Sequence, residues 1–539
     1  MSQALSEKEK RMLFWASFLS LAAAGFGFAF RVVKGGVYGD ELQLTNLQVG
    51  MIFGASLWPI AITMILFSLV VDRTGYKIPM YVAFALQAIS ALGTAMGKSY
   101  GALYFAGLCA GLGHGIIEAV INPACAAVYP KEKTKWLTIL HAAWPAGLVA
   151  GTLLIITFDK ISGGAASWRL HACWILLPAI AYAIMYAPVK FPVDERVQAG
   201  VPFIDMLKEV GFLGAALASF MLIFEIGNQV AALTGWQQPA GWFTISLVAG
   251  IVAGGVFGAA VKSVGQPLFF LLCLLMVPIA TAELGTDQWI GKLMTPVLTG
   301  MTVFGMAVHP AMGLVFSAAI MFIFRVFAGN ILKYFTPPSL LALSGLLSAI
   351  GLLWLSSATG FAILVAFVCY ALGQTYYWPC VLGFTSERYP RGGALTLNTV
   401  SAIGLLSVGI IGGQLLGAAF DDSIHRQVEK EVPALAAAAA TPKSFLWESY
   451  KQIDPAKRAE YLKSLPAAEA AKASAAFTAI DNRAGRDVLK YAVQFPAILV
   501  LSFFGIWMYF RAKGGYKAVE LTPTAAGGAP VPAGSGTGH

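Results

Sequence analysis

The chain has 539 residues, of which 58% are hydrophobic and 12% are charged, and its mean hydropathy is +0.72. That balance excludes an ordinary soluble domain and indicates a membrane protein with many spans. The formal net charge of +9 does not indicate a nucleic-acid partner, because most basic residues fall in short loops, where they orient the chain in the bilayer.

Apolar segments long enough to cross a bilayer recur along the whole chain, since about 20 residues suffice for a helical span. Six such segments precede a polar connection at 189–211, and eight follow it. The sequence therefore predicts an all-α polytopic membrane protein with 14 transmembrane helices. The predicted spans are 12–33, 47–71, 78–97, 102–129, 136–158, 169–188, 212–234, 241–261, 267–290, 306–328, 339–356, 361–387, 396–419 and 490–510.

Loop charge predicts the orientation. Lys and Arg are concentrated in the loops and span ends on the side of the N-terminus, and Arg325 is counted among them. Because cytoplasmic loops carry the excess of basic residues, both termini are expected in the cytoplasm, at a plasma (bacterial inner) membrane. Residues 420–489 then form a large external loop, partly helical, and 511–539 form a disordered cytoplasmic tail.

A charged turn closes the second predicted span. Residues 68–77 read Ser-Leu-Val-Val-Asp-Arg-Thr-Gly-Tyr-Lys, which resembles the cytoplasmic signature of the major facilitator superfamily, with Ser68 at the position of the first glycine. Gly75 allows the chain to reverse, and Asp72 can pair with a basic group or cap a helix in one conformer only. We therefore expect a conformational-switch loop made of Asp72, Arg73, Gly75 and Lys77.

The resemblance implies two six-helix bundles around a central cavity. A repeat supports it, since Gly113 and Pro130 have the same spacing as Gly373 and Pro390. The bundles would be 1–188 and 267–510, and the second would include the external loop 420–489. Residues 189–266 would form a linker with two extra transmembrane helices, and 511–539 the tail.

Glu118 lies near the middle of the span 102–129. A bare carboxylate at this depth costs roughly 2.5–3.5 kcal/mol on insertion scales, so it marks a candidate functional site. The run Glu118-x-x-x-Asn122-Pro123 resembles the fucose:proton symporter branch, which implies proton coupling at Glu118, helped by His114 one turn away. The alternatives are a carboxyl that burial keeps neutral and one that is merely paired with His114. The first span lacks the branch's aspartate and ends near Arg31 instead.

Polar and aromatic residues at positions that line the cavity in this fold are the candidates for solute contact. Tryptophan faces suit stacking on a sugar ring, and polar groups fix its orientation. The alternatives are packing for the tryptophan at 144, a lipid-headgroup anchor for the arginine at 31, and an external gate for the acids at 283 and 287. The candidates are Arg31, Asn122, His141, Trp144, Glu283, Asp287, Gln374, Tyr376, Tyr377, Trp378 and Asn398.

The pattern as a whole predicts a secondary active transporter, with proton-coupled uptake of a sugar or sugar-like solute by alternating access. The alternatives are an organic-anion exchanger that uses Arg31, and a non-transporting membrane sensor on the same fold. No GxxxxGK[ST] loop and no HExxH motif occurs, so an ATP-driven pump, an enzyme, a metal and a cofactor are not expected. The expected partners are the solute, protons and the lipid bilayer, and the expected oligomeric state is a monomer.

Overall fold

The computed structural model describes residues 5–44, 46–164, 167–286, 302–303, 306–307, 312–445 and 448–521. Helices dominate this part of the chain, and the only strands in it are two short hairpins. The N-terminal helices are Glu7–Glu41, Asn46–Gly54, Trp58–Thr74, Lys77–Met96, Tyr100–Val128, Lys133–Leu140, Ala143–Ile161, Trp168–Cys173, Leu176–Tyr186 and Glu195–Gln198. A helical pair follows, Phe203–Thr234 and Trp242–Val261.

The C-terminal part of the chain is also helical. Its membrane helices are Pro267–Ala280 with a π-helical turn at Thr281–Gly285, Met312–Val326, Ala328–Ile331, Pro337–Ser357, Ala362–Gln374, Tyr377–Arg388, Pro390–Gly392 (3₁₀), Gly393–Ser407, a second π turn at Val408–Gly412, Gly413–Glu431 and Gln494–Ala512. Between the last two lie Pro433–Ala439, the strands Ala440–Phe445 and Glu448–Ile453, and the helices Pro455–Ser464 and Ala467–Ala492. The other hairpin pairs Thr302–Val303 with Met306–Ala307.

The prediction of an all-α membrane protein is confirmed, but its count of 14 spans is not. Within the described residues, 12 helices are long and apolar enough to cross a membrane. Of the other two predicted spans, one appears as the 15-residue helix Met312–Val326. The other is broken into Ala362–Gln374 and Tyr377–Arg388, because Pro379 lacks the N–H group that an unbroken helix requires.

The helices form two groups that meet across the middle of the molecule, the N-terminal spans (residues 7–186) and the C-terminal spans (residues 267–512). The first and last described residues, near 5 and 521, lie at one face, which we call the terminal face. There Phe14 packs edge-on against Tyr129, and the Tyr516 hydroxyl donates to Glu387 over 2.7 Å. At the opposite face, Trp168 donates to the carboxylate of Glu41.

The predicted inserted pair is a tight helical hairpin outside the two groups. Gly250, Gly254 and Gly258 lie on one face of Trp242–Val261, directly against the backbone of Phe203–Thr234, so any larger side chain would collide there. Gly211 turns the chain into this hairpin with a φ of 54°, a conformation that favours glycine. None of the described residues of the pair lines the central cavity.

The described residues of 420–489, predicted as a partly helical external loop, fold into a small unit at the opposite face. We call it the external domain after that predicted position. Its own core includes Ile424, Val428, Leu435 and Ile480. The helix Gly413–Glu431 enters it from the membrane, and Ala467–Ala492 leads back to the last span. The external domain is therefore continuous with helices of the C-terminal spans.

Candidate functional site

A cavity of about 310 Å³ lies between the two groups of spans. Its wall toward the opposite face is apolar, and its floor near the middle of the molecule carries the charged and polar side chains. The described lining residues are Phe28, Val32, Phe53, Leu57, Ile60, His114, Glu118, His141, Trp144, Leu148, Glu283, Leu284, Gly313, Leu314, Ser317, Arg325, Phe367, Trp378, Ser401, Leu405 and Val408.

Glu118 is the centre of a buried polar group that we call the Glu118 cluster. Asn122 donates to the Oε2 atom of Glu118 over 2.7 Å, and the Oδ1 atom of Asn122 lies 3.0 Å from His141 Nε2. His114 Nε2 is 3.6 Å from Glu118 Oε1, and His141 Nε2 is 4.0 Å from Glu118 Oε2. All partners of this carboxylate are therefore groups without a permanent charge.

Glu283 has a different partner. It lies on the π-helical turn Thr281–Gly285, and Arg325 donates to its Oε1 atom over 2.8 Å. Both side chains are almost fully buried, with exposed fractions of 2% for Arg325 and 5% for Glu283. This is an ion pair between two buried side chains, and removal of one partner leaves an uncompensated charge. We call it the Glu283–Arg325 pair.

Arg325 also holds the cavity floor together through two backbone carbonyls. Its Nε atom donates to the carbonyl of Thr375 over 2.7 Å, and Nη1 donates to the carbonyl of His141 over 3.1 Å. Each of these carbonyls lacks a helical partner, because the residue four positions later is a proline, Pro379 or Pro145. One guanidinium thus joins the N-terminal spans to the C-terminal spans.

Contacts between the two groups close the molecule on the terminal-face side of the cavity. The Nδ2 atom of Asn398 donates to Ser68 Oγ over 2.7 Å and to the carbonyl of Ala119 over 3.2 Å. That carbonyl is freed by Pro123 in the same way. Nearer the surface, Thr134 donates to the carboxylate of Glu387 through both its hydroxyl and its backbone N–H. We call these contacts the terminal-face latch.

Six of the predicted site residues line the central cavity, and two more lie directly behind it. The six are His114, Glu118, His141, Trp144, Glu283 and Trp378. Of the other two, Asn122 bonds Glu118, and the amide of Gln374 lies 3.4 Å from the hydroxyl of Ser317, a lining residue. The ring of Trp144 is stacked on His114 at 5.0 Å, so one of its two faces is already covered.

The other predicted solute contacts lie elsewhere. Tyr376 and Tyr377 donate to the carbonyls of Phe324 and Ser344 and pack between helices. Asn398 belongs to the terminal-face latch, and Arg31 faces a separate small pocket. None of these four lines the central cavity; their helices turn these side chains toward neighbouring helices. Asp287 lies outside the described residues.

The predicted switch loop is a turn at the terminal face. Gly75 ends the helix Trp58–Thr74 with a φ of 68°, which fits its expected role as the point of chain reversal. Lys77 donates to the carbonyl of Ala187 over 2.7 Å, and Arg73 is exposed. Asp72 lies in the last turn of the helix, and its side chain is outside the described part of the structure.

Arg325 is the functional residue that the sequence analysis misassigned. It was counted among the cytoplasmic span ends, whereas the structure buries it at the cavity floor. A signal was present, because the predicted span 306–328 continues past this residue. A cation inside a span needs a partner, and the predicted helix 267–290 offers two acids, Glu283 and Asp287.

The fold and this cavity define the chain as a membrane transport protein with two helical groups. A family model of the Major Facilitator Superfamily matches residues 12–417, which make up about three quarters of the chain. The chain belongs to that superfamily, which confirms the resemblance drawn from residues 68–77.

The curated relatives match only part of this chain. The synaptic vesicular amine transporters of rat and human are each 24% identical to this chain over 251 residues. The match covers 44% of this chain and 48% of theirs, so the chain spans about half the length of these relatives.

Solved structures share the fold at low sequence identity. The proton:xylose symporter XylE of E. coli, with 6-bromo-6-deoxy-D-glucose bound, has a TM-score of 0.54 at 14% identity, covering 79% of this chain and 91% of its own. A single-residue variant of the E. coli fucose:proton symporter FucP has 0.52 at 13%, covering 92% and 98%. The human organic anion transporter MFSD10 has 0.53 at 13%, covering 76% and 94%.

Proposed function

We propose that this protein is a secondary transporter that couples the movement of a small sugar-like solute to protons. The Glu118 cluster carries the proposal. Two imidazoles and an amide lie within 4.0 Å of the Glu118 carboxylate at the cavity floor. Buried chains of acids and histidines in membrane spans are typical of proton relays. Glu118 would carry the proton, and His114 would exchange it.

The central cavity would hold the solute. Trp378 and Trp144 line the cavity from the two groups of spans, and the hydroxyls of Ser317 and Ser401 add hydrogen-bonding groups. Aromatic faces with a few polar groups suit a polyhydroxy ring. The terminal-face latch would open when the two groups rock about the cavity, which exposes the solute to the other side.

A second candidate is exchange of an organic amine for protons. The described cavity lining contains two carboxylates, Glu118 and Glu283, against one permanent cation, Arg325, and therefore one surplus negative charge when the histidines are neutral. Phe28, Phe53 and Phe367 add aromatic faces that attract cations. The matched rat and human relatives are vesicular amine transporters, which supports this candidate.

The organic-anion alternative depended on Arg31 as the cation that would attract the solute. Arg31 does not line the central cavity, and the cation that does, Arg325, is neutralised by Glu283. An anionic solute would have to displace a buried carboxylate from its guanidinium. We therefore retain the sugar-like solute as the proposal and the amine as its competitor.

Ligand-induced stabilisation of the purified protein tests the proposal. The panel is neutral hexoses, deoxysugars, amino sugars, sugar acids, short carboxylates, nitrate and organic amines, at acidic and alkaline pH. A ligand at 100 times its dissociation constant adds about 2.7 kcal/mol to the free energy of unfolding. We expect a neutral-sugar hit that persists in Glu118→Gln and loses its pH dependence there.

A buried acid outside the cavity supplies the matched control. Glu225 lies in the inserted pair and bonds Gln229, so Glu225→Gln should keep both the hit and its pH dependence. A hit confined to amines would shift the function to the second candidate. A pH dependence that survives in Glu118→Gln would contradict the coupling role.

A further inference from the structure

A second, smaller pocket lies beside the central cavity within the N-terminal spans, with Arg31 in its wall. It encloses about 30 Å³ and is lined mainly by apolar side chains, together with Arg31, Ser56, Gln87, Ser90 and His114. A water molecule needs roughly 10–15 Å³ of such space. The pocket therefore accommodates one or two waters or a single small ion, and it is too small for an organic solute.

Two buried cations on the same helix differ in their partners. Lys34 is 7% exposed and its Nζ atom lies 2.6 Å from the carboxylate of Asp159. Arg31, one turn earlier and 9% exposed, donates only to the carbonyl of Gly27 over 2.9 Å and to Ser90 Oγ over 3.2 Å. No carboxylate of the described residues lies within ion-pair distance of its guanidinium, and a buried charge without a counter-charge costs several kcal/mol.

The polar groups around this pocket are mostly donors. Arg31 has five N–H groups, of which the two bonds above use two. The oxygen of Gln87 already accepts from the hydroxyl of Tyr182, so its NH₂ group is the part left for the pocket. Ser90 accepts from Arg31, which leaves its own O–H to donate. No acid is among the lining residues, so the pocket suits an anion and not a cation.

We infer that this pocket binds a single small inorganic anion of the halide class, which serves as the counter-ion of Arg31. The anion would lie against Arg31, Gln87 and Ser90, behind the ring of His114. The site adjoins the central cavity that the proposed function assigns to the solute, and the two share the lining residues Phe28, Leu57, His114 and Trp144. Arg31, Gln87 and Ser90 line only the smaller pocket. It also gives Arg31 a different role from the solute contact that the sequence predicted.

The test compares salts and needs no solute. The purified full-length protein is heated in potassium chloride, bromide or iodide, and in potassium gluconate at the same ionic strength. We expect a saturable rise in melting temperature with the halides only. In Arg31→Gln the apparent halide affinity should fall at least tenfold, whereas Lys34→Gln, which removes the paired cation on the same helix, should keep it.

If Arg31→Gln fails to fold, anomalous scattering from bromide in crystals of the unmodified protein tests the anion site instead. Bromide beside Arg31 supports the site. Equal melting temperatures in halide and gluconate mean that water fills the pocket and would overturn the inference. A halide effect that is unchanged in Arg31→Gln would overturn it as well, and neither result bears on proton coupling at Glu118.

Discussion

The cavity floor contains two buried carboxylates with opposite surroundings. Glu118 is surrounded by an amide and two imidazoles, all without permanent charge, whereas Glu283 is bound to a guanidinium that is always protonated. We expect a carboxylate of the first kind to exchange a proton with its neighbours. One of the second kind is held as an ion pair, and its contribution is to join helices. We therefore expect substitutions at the two sites to affect different properties.

The largest effect should come from breaking the Glu283–Arg325 pair. Arg325→Gln leaves a buried carboxylate and two proline-freed carbonyls without their partner, so the free energy of unfolding should fall by about 3–5 kcal/mol. Denaturant titration in mixed micelles measures this loss. The double variant Arg325→Gln/Glu283→Gln should recover a large part of it, and a single variant as stable as the parent protein would contradict the role of the pair.

The terminal-face latch predicts a conformational effect of intermediate size. Asn398→Ala removes two hydrogen bonds between the groups, each worth about 1 kcal/mol, and should lower the ratio of closed to open forms roughly 30-fold. Distances between spin labels at Arg73 and Arg391, both exposed, report the shift. Asn330→Ala, at an exposed position, is the control and should leave the distances unchanged.

The stability measurement on Glu118→Gln should give a much smaller loss than Arg325→Gln, about 1 kcal/mol or less, because glutamine still accepts the hydrogen bond from Asn122. Proton coupling should be lost instead, measured as pH-independent solute binding and absent proton flux in liposomes. If Glu118→Gln destabilises the protein as much as Arg325→Gln does, the distinction between the two carboxylates is wrong.

The smallest effect is expected in the external domain, far from either carboxylate. The backbone N–H groups of Lys457 and Ala456 hold the pKa of Asp454 below its ordinary value of 3.8. Its contribution to local stability is therefore full above pH 3.8 and is lost as the pH falls through the lowered pKa.

Hydrogen exchange measures this contribution. Asp454→Ala should speed amide exchange in 455–464 a few-fold at neutral pH, because the helix loses its N-cap. Exchange at the cavity floor should not change. A variant that alters both regions would show that the external domain is coupled to the Glu118 cluster.

Three prolines each free a backbone carbonyl at the site, and the positions of these carbonyls can be read from the sequence. Pro123 frees the carbonyl of Ala119, which accepts a hydrogen bond from Asn398 at the latch. Pro145 and Pro379 free two more, which both accept from Arg325. The pattern X-x-x-x-Pro identifies each free acceptor, but it does not state which donor from a distant helix reaches it.

The sequence by itself determined the membrane class, most of the helical segments and the superfamily, and it marked Glu118 as a candidate site. These follow from local properties, namely the length of apolar runs, a short turn motif and the cost of an acid within a span. The tertiary structure decided that Arg325 pairs with Glu283, that Arg31 faces its own pocket and that 420–489 has a core. Those outcomes depend on which side of each helix meets which neighbour, and helix periodicity shows a face but not the partner that covers it.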